Sequence, residues 1–224
     1  MTIQTKFVIL VAVLAFCGCL SSDTQQKEKL EARYHMAIKY ADLSIATQAA
    51  HDMMVYFPAE TSWRDTLVRL YFARKAFPQT ILLAEEILET NPNDAKVMAL
   101  VANAYRAVGN DKAALSQFES LYKNTGDIYH LYEVANVQYN LERVGECADT
   151  AKKLLAHQDI DSKMVELRFN NQNQSVPLKA AVINLQGVLA KDSGNRVEAE
   201  ALFKQALQIF PGYLLARGNL DSLK

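Results

Sequence analysis

Breakers of regular structure are scarce in this chain, with five prolines and eight glycines in 224 residues, a composition that suits helices. Charge of one sign is missing as well. Lys and Arg total 24 against 25 Asp and Glu, a formal net charge of −1, which gives no sequence-wide reason to expect a polyanion and argues against nucleic acid as a partner. The motifs of the common catalytic sites are absent too: no Gly-x-Ser-x-Gly, no Gly-rich phosphate loop and no His-Glu-x-x-His. The four histidines, His35, His51, His130 and His157, are scattered singly, which fits structural histidines better than metal ligands or acid–base groups. No catalytic residue, metal site or cofactor is expected. Long apolar runs are also lacking. The longest, Phe7 to Phe16, would span about 15 Å as a helix against a hydrocarbon core of ~30 Å, the length of a signal-peptide core rather than a membrane span.

That run follows Lys6 and leads into Cys17-Gly18-Cys19. Phe16-Cys17-Gly18-Cys19 resembles the lipobox of bacterial lipoproteins: Gly18 and Cys19 match it, whereas Phe16 and Cys17 depart from its usual aliphatic and small residues. The resemblance implies a leader over residues 1–18, lipid attached to Cys19 and a polar tether over residues 19–26. It also implies that Cys147 alone stays a free thiol, so that no disulfide forms within the mature chain. Several acyl chains at ~0.8 kcal/mol per buried CH₂ would hold such a protein on a membrane of the cell envelope, on the periplasmic side or at the outer membrane. An ordinary secretory segment is the other reading of the same residues.

What the rest of the chain has is a period. Tyr71, Tyr105 and Tyr139 follow one another at 34-residue steps (105 − 71, 139 − 105), and Leu67, Val101 and Ala135, then Thr80, Ala114 and Ala148, then Ile87, Leu121 and Leu155 keep the same step. A fixed period of that size marks stacked repeats. The stretch GVLAKDSGNRVEAEALFKQALQIFP, with Gly187, Gly194, Ala199, Phe203, Ala206 and Pro211 at the offsets of a helix, a tight turn, a second helix and a stop, resembles the tetratricopeptide repeat (TPR). The resemblance implies an all-α fold over residues 27–224: a right-handed superhelical stack of about five TPR-like helical hairpins with a C-terminal capping helix.

The hairpins are predicted at 27–40 with 42–56, 61–75 with 78–90, 95–108 with 111–124, 128–141 with 144–156, and 178–192 with 196–210, closed by a cap over 213–224. The first and fourth pairs are the least regular; Gly145 lies two residues past the expected turn and Lys152 stands where Phe118 stood. Between the fourth and last pairs the period breaks for an insertion at about 160–177. There Met164 to Phe169 alternates and Asn170 to Gln174 turns polar, a pattern open to a small projecting β-hairpin or to a loop.

In the TPR family the first helix of each pair lines a groove for a partner segment. The positions that match groove-facing columns are Asp65, Arg69, Phe72, Asn103, Arg106, Glu133 and Asn140, of which Arg69, Asn103 and Arg106 suit carboxylates or backbone carbonyls. The same residues also suit ordinary solvated helix surfaces. Asp65, Leu100 and Val134 stand where the carboxylate-clamp subfamily uses Lys and Asn, so that resemblance fails. The leading expectation is a membrane-tethered, non-enzymatic scaffold of the bacterial cell envelope that binds a protein or peptide. The alternative is a glycan- or solute-binding envelope lipoprotein.

Overall fold

Asp42, Asp94, Asn110, Asp127 and Asn195 each precede a helix and accept backbone N–H groups of its first turn on their side-chain oxygens. Those donors have no partner inside the helix, so the caps fix where each helix starts. In the computed structural model, which describes residues 23–224, the chain is a run of helices interrupted by one β-hairpin and divides into two compact units on either side of the 92–93 bond. The expected leader and the lipidated Cys19 lie outside the described residues. Residues 23–26, expected in the tether, are already helical.

The first unit holds α1 (residues 23–39), α2 (Leu43–Tyr56), α3 (Ser62–Ala73) and α4 (Phe77–Thr90). Its core is built on small residues, Ala46, Ala49 and Ala50, which let the helices approach until Met53, Leu67 and Val68 are buried. Tyr34 meets Trp63 edge-on, ring centres 5.1 Å apart, and Lys27 pairs with Glu60.

The second unit holds α5 (Ala95–Ala107), α6 (Asp111–Thr125), α7 (Ile128–Asn140), α8 (Val144–Leu155), β1 (Met164–Phe169), β2 (Gln172–Pro177), α9 (Leu178–Asp192), α10 (Arg196–Ile209) and α11 (Leu214–Asp221). Gly187 is required where α9 crosses α10: a Cβ there would sit 2.6 Å from Cε1 of the fully buried Phe203. The insertion is a β-hairpin, antiparallel, with Val165 opposite Val176 and both buried. Asn170 and Asn171 take φ of 46° and 64°, the left-handed pair that a two-residue hairpin turn demands and that Asn tolerates. It does not project. Gln174 donates to the Gly212 carbonyl at 2.6 Å and accepts from Leu214 N–H at 3.0 Å, and the Phe169 ring lies over Gly218, so the hairpin is fastened to the start and the middle of the capping helix α11.

One sequence expectation fails by a single residue. Each first helix of a pair ends in the same motif: an N–H reaches back five residues to a carbonyl, beside a residue of positive φ. The acceptors are Ala37, Tyr71, Tyr105, Gln138 and Ala190, and the positive-φ residues are Ala41, Lys75, Gly109, Glu142 and Gly194. Gln138, not Tyr139, is therefore the counterpart of Tyr71 and Tyr105. Cys147, Ala151 and Leu154, all fully buried, replace Ala148, Lys152 and Leu155 as the inward set of α8. The cause is the stop after α6. Gly126 ends that helix in a left-handed turn and only Gly126 and Asp127 separate it from α7, whereas 91–94 separate α4 from α5. The shorter link outweighs the slightly longer helix and moves everything after it by one position.

Candidate functional site

In the first unit, Asp65, Arg69 and Phe72 stand on α3. Arg69 is exposed, with its Nε held 2.8 Å from the Asp65 carbonyl, and Asp65 is half-buried. Phe72 is half-buried and meets Phe77 edge-on at 5.8 Å, so part of its ring is spent on packing within its own helix pair.

The second unit brings Asn103, Arg106 and Glu133 together. Arg106, at the end of α5, forms an ion pair with Glu133 of α7, donates to Asn103 Oδ1 at 2.9 Å and lies 5.6 Å from the centre of the Phe118 ring. Asn103 in turn donates to the Ala99 carbonyl at 2.8 Å. The two ends differ in exposure: the Arg106 side chain keeps 35% and the Glu133 side chain 8%. A carboxylate so deep needs a cation and hydrogen bonds. The Tyr129 hydroxyl supplies another bond, and burial, together with the adjacent carboxylate, pushes that phenol up to about 12. Glu133 is thus an interior anchor rather than a groove-facing residue. Tyr132 holds the place that the 34-residue step assigned to Glu133, and it too is buried.

Asn140 is corrected by the same one-residue shift. Tyr139 occupies the place matching Arg106, while Asn140 is exposed on the rim of a cleft of about 540 Å³ that Tyr139, Glu142, Val144 and Asp192 also line. The Tyr139 hydroxyl donates to Asp192 Oδ2 at 2.7 Å, and that bond, with burial second, raises the phenol to about 12. Farther along, Asn219 of α11 donates to Asn184 of α9 at 2.9 Å. Arg106–Glu133, Tyr139–Asp192 and Asn184–Asn219 therefore tie α5 to α7, α7 to α9 and α9 to α11. Within the second unit, one polar pair joins each first helix to the next and the last of them to the cap. Tyr129, Asp192, Asn184 and Asn219 were not singled out from sequence, because their roles come from neighbours 4 to 53 residues away that only the fold brings close.

At the start of α7 the electrostatics are local. The Asp127 carboxyl loses some hydration, yet the Tyr129 N–H and the Lys163 ammonium hold it below the usual carboxylate range. Burial lowers His130, whose Nδ1 sits 2.9 Å from the Thr125 hydroxyl. Cys147 is buried, donates to the Ala135 carbonyl at 3.2 Å, and burial pushes its thiol up to about 11, the state of an unreactive packing residue. Among the described residues no helix is long and apolar enough to cross a membrane.

No family model matches the chain, and no curated protein matches it. Solved structures do. The chain is similar to YrrB, described as a TPR protein with an unusual peptide-binding site, at 12% identity and a TM-score of 0.63 over 83% of this chain and 87% of that one. It is similar to MamA at 13% identity and 0.62 over 78% and 92%. It is also similar to TTC0263, a thermophilic TPR protein of Thermus thermophilus, at 14% identity and 0.51 over 88% and 98%. With the repeated helix pairs and their shared turn motif, these likenesses establish that the chain has the tetratricopeptide repeat fold.

Proposed function

We propose that the protein is a membrane-tethered interaction scaffold of a bacterial envelope, binding a segment of a partner protein along the first helices of its repeats and performing no chemistry itself. The observation that carries the binding half is the row of polar pairs in the second unit. Asn103, Arg106 and Tyr139 are each held in place by a neighbour before any partner arrives. Groups fixed in advance lose less side-chain entropy on binding, which is what lets a modest surface bind a peptide. The presence of a peptide-binding site in YrrB, a protein of the same fold, supports the reading. The tether rests on the sequence Phe16-Cys17-Gly18-Cys19 after its short apolar run.

The test is a pull-down from detergent-solubilised membranes. A stoichiometric protein partner that is lost on Tyr139→Ala or Arg69→Glu, with the melting temperature of the variant near that of the parent, supports the scaffold. A soluble glycan that raises the melting temperature with no protein recovered would replace it with a glycan-capture role. Arg106→Glu is unsuitable as a probe, because it would place a second carboxylate against Glu133 and unfold the site. Incorporation of clickable palmitate into the parent and its loss in Cys19→Ala tests the tether separately.

A further inference from the structure

A cleft of the first unit, about 620 Å³, lies between α1, α2 and the end of α3, on residues that the partner-binding reading does not use. Arg33, Gln48, His51, Tyr71 and Arg74 all contribute to its lining. Its charge is unbalanced. Arg33 meets Asp52 only at 3.6 Å, and that carboxylate already accepts from Gln48 at 2.8 Å. Arg74 has no acidic partner among the described residues, and the Tyr71 hydroxyl has no hydrogen-bond partner there either. Two planar, always-charged donors thus line one cleft, and the single acid near it, Asp52, meets only Arg33.

We propose that this cleft is a docking site for an acidic peptide segment of a partner protein, whose Asp or Glu carboxylates pair with Arg74 and Arg33. Guanidinium groups bind carboxylates in a two-point, planar geometry, and the Tyr71 hydroxyl and the His51 ring add further hydrogen-bonding groups to the lining. The segment, rather than a free anion, follows from the openness of the site. Each exposed ion pair contributes little by itself, so a single small anion in contact with water is held weakly. Carboxylates carried on one chain reach both arginines together, and the second contact forms at high effective concentration.

The experiment uses the full chain and two labelled probes, a hexaglutamate and a hexaglutamine peptide, followed by fluorescence anisotropy at low salt. Hexaglutamate should bind and hexaglutamine should not, with binding fading as salt rises through the range where surface charges are screened. Arg74→Glu and Arg33→Glu should each weaken hexaglutamate about tenfold or more, whereas the same charge reversal at Arg168, exposed on the β-hairpin, should leave it within about twofold. Arg74→Gln should fall between, and melting curves confirm that each variant is folded. An equal loss in Arg168→Glu would show attraction to net charge only and overturn the site, as would undiminished binding in folded Arg74→Glu. Displacement of hexaglutamate by millimolar inorganic phosphate would also overturn the peptide assignment, leaving a small-oxyanion site. Failure here leaves the first-helix reading standing, since its probes are Tyr139 and Arg69.

Discussion

Arg106 and Glu133 form one ion pair with unequal ends, and the inequality decides what each substitution costs. Removing Arg106 leaves a carboxylate that is 8% exposed with no cation beside it, whereas neutralising Glu133 leaves a guanidinium that still reaches water and Asn103. Arg106→Ala should therefore destabilise the fold by about 2 kcal/mol, below the usual cost of breaking a fully buried pair because water reaches the site, and Glu133→Gln by about half as much. Urea melts of the two variants check the order, and the reverse order would mean that Glu133 is better hydrated than its position indicates. Two phenols act in the same region with a definite sign. Tyr129 and Tyr139 are raised from 10.0 to about 12, so the folded state favours the protonated phenol. Their contribution is complete below pH 10 and is lost as pH climbs from there towards 12. The urea midpoint should fall across that window, and less steeply in Tyr139→Phe. A midpoint that stays flat, or a Tyr139→Phe profile that overlays the parent, would place both phenols in water.

At the scale of the helix pair, the recurring unit is a helix end closed by a residue of positive φ, filled by Gly109 and Gly194 in two pairs but by Ala41, Lys75 and Glu142 in three. A side chain in that conformation costs roughly 1–2 kcal/mol, offset in part because glycine loses more freedom on folding. Glu142→Gly should thus stabilise the second unit by about 0.5 kcal/mol, and Gly109→Ala should destabilise it by about 1 kcal/mol. Thermal melts that move both variants in the same direction would contradict the shared motif. These residues also explain what could be read beforehand. Where glycine fills the turn, as in the third and last pairs, helix boundaries and inward residues were legible from the chain, and the closing pair was clear enough to identify the repeat. In the fourth pair Glu142 carries no turn signal, Gly145 lies inside α8, and the Gly126 stop hides a lost residue, so the 34-residue step points to Tyr139 one place late and carries Asn140 into the groove set with it. The hairpin was half legible. Alternation and the Asn-Asn turn are local, but its attachment through Gln174 to Gly212 and Leu214 links residues 38 and 40 apart, and no short window carries that.

For the molecule as a whole, the decisive property is that contact follows sequence. In the first unit α2 packs on α3 and α3 on α4; in the second the line runs from α5 through α6, α7, α8 and α9 to α10 and α11. Stability in such a stack approximates a sum of helix-pair terms and nearest-neighbour interfaces, so damage at one place spreads only as far as those interfaces carry it. Phe203 is the test case, fully buried against Gly187 and packed with Ala190 and Ala199. Phe203→Ala should cost about 3 kcal/mol or more, because the ring is fully buried and the partly buried Leu202 and Leu220 packed against its cluster can fill only part of the space it leaves. Native-state hydrogen exchange on the full chain should then show lost protection in α9, α10 and α11, a smaller loss in α7 and α8, and α5 and α6 close to the parent. The polar pairs Tyr139–Asp192 and Asn184–Asn219 are what would pass the disturbance from α9 to its neighbours, so Tyr139→Phe should sharpen the gradient at α7. A uniform loss of protection from α5 to α11 would mean that the second unit opens all at once, and a partner held along its first helices would then bind one cooperative body rather than a graded row of repeats.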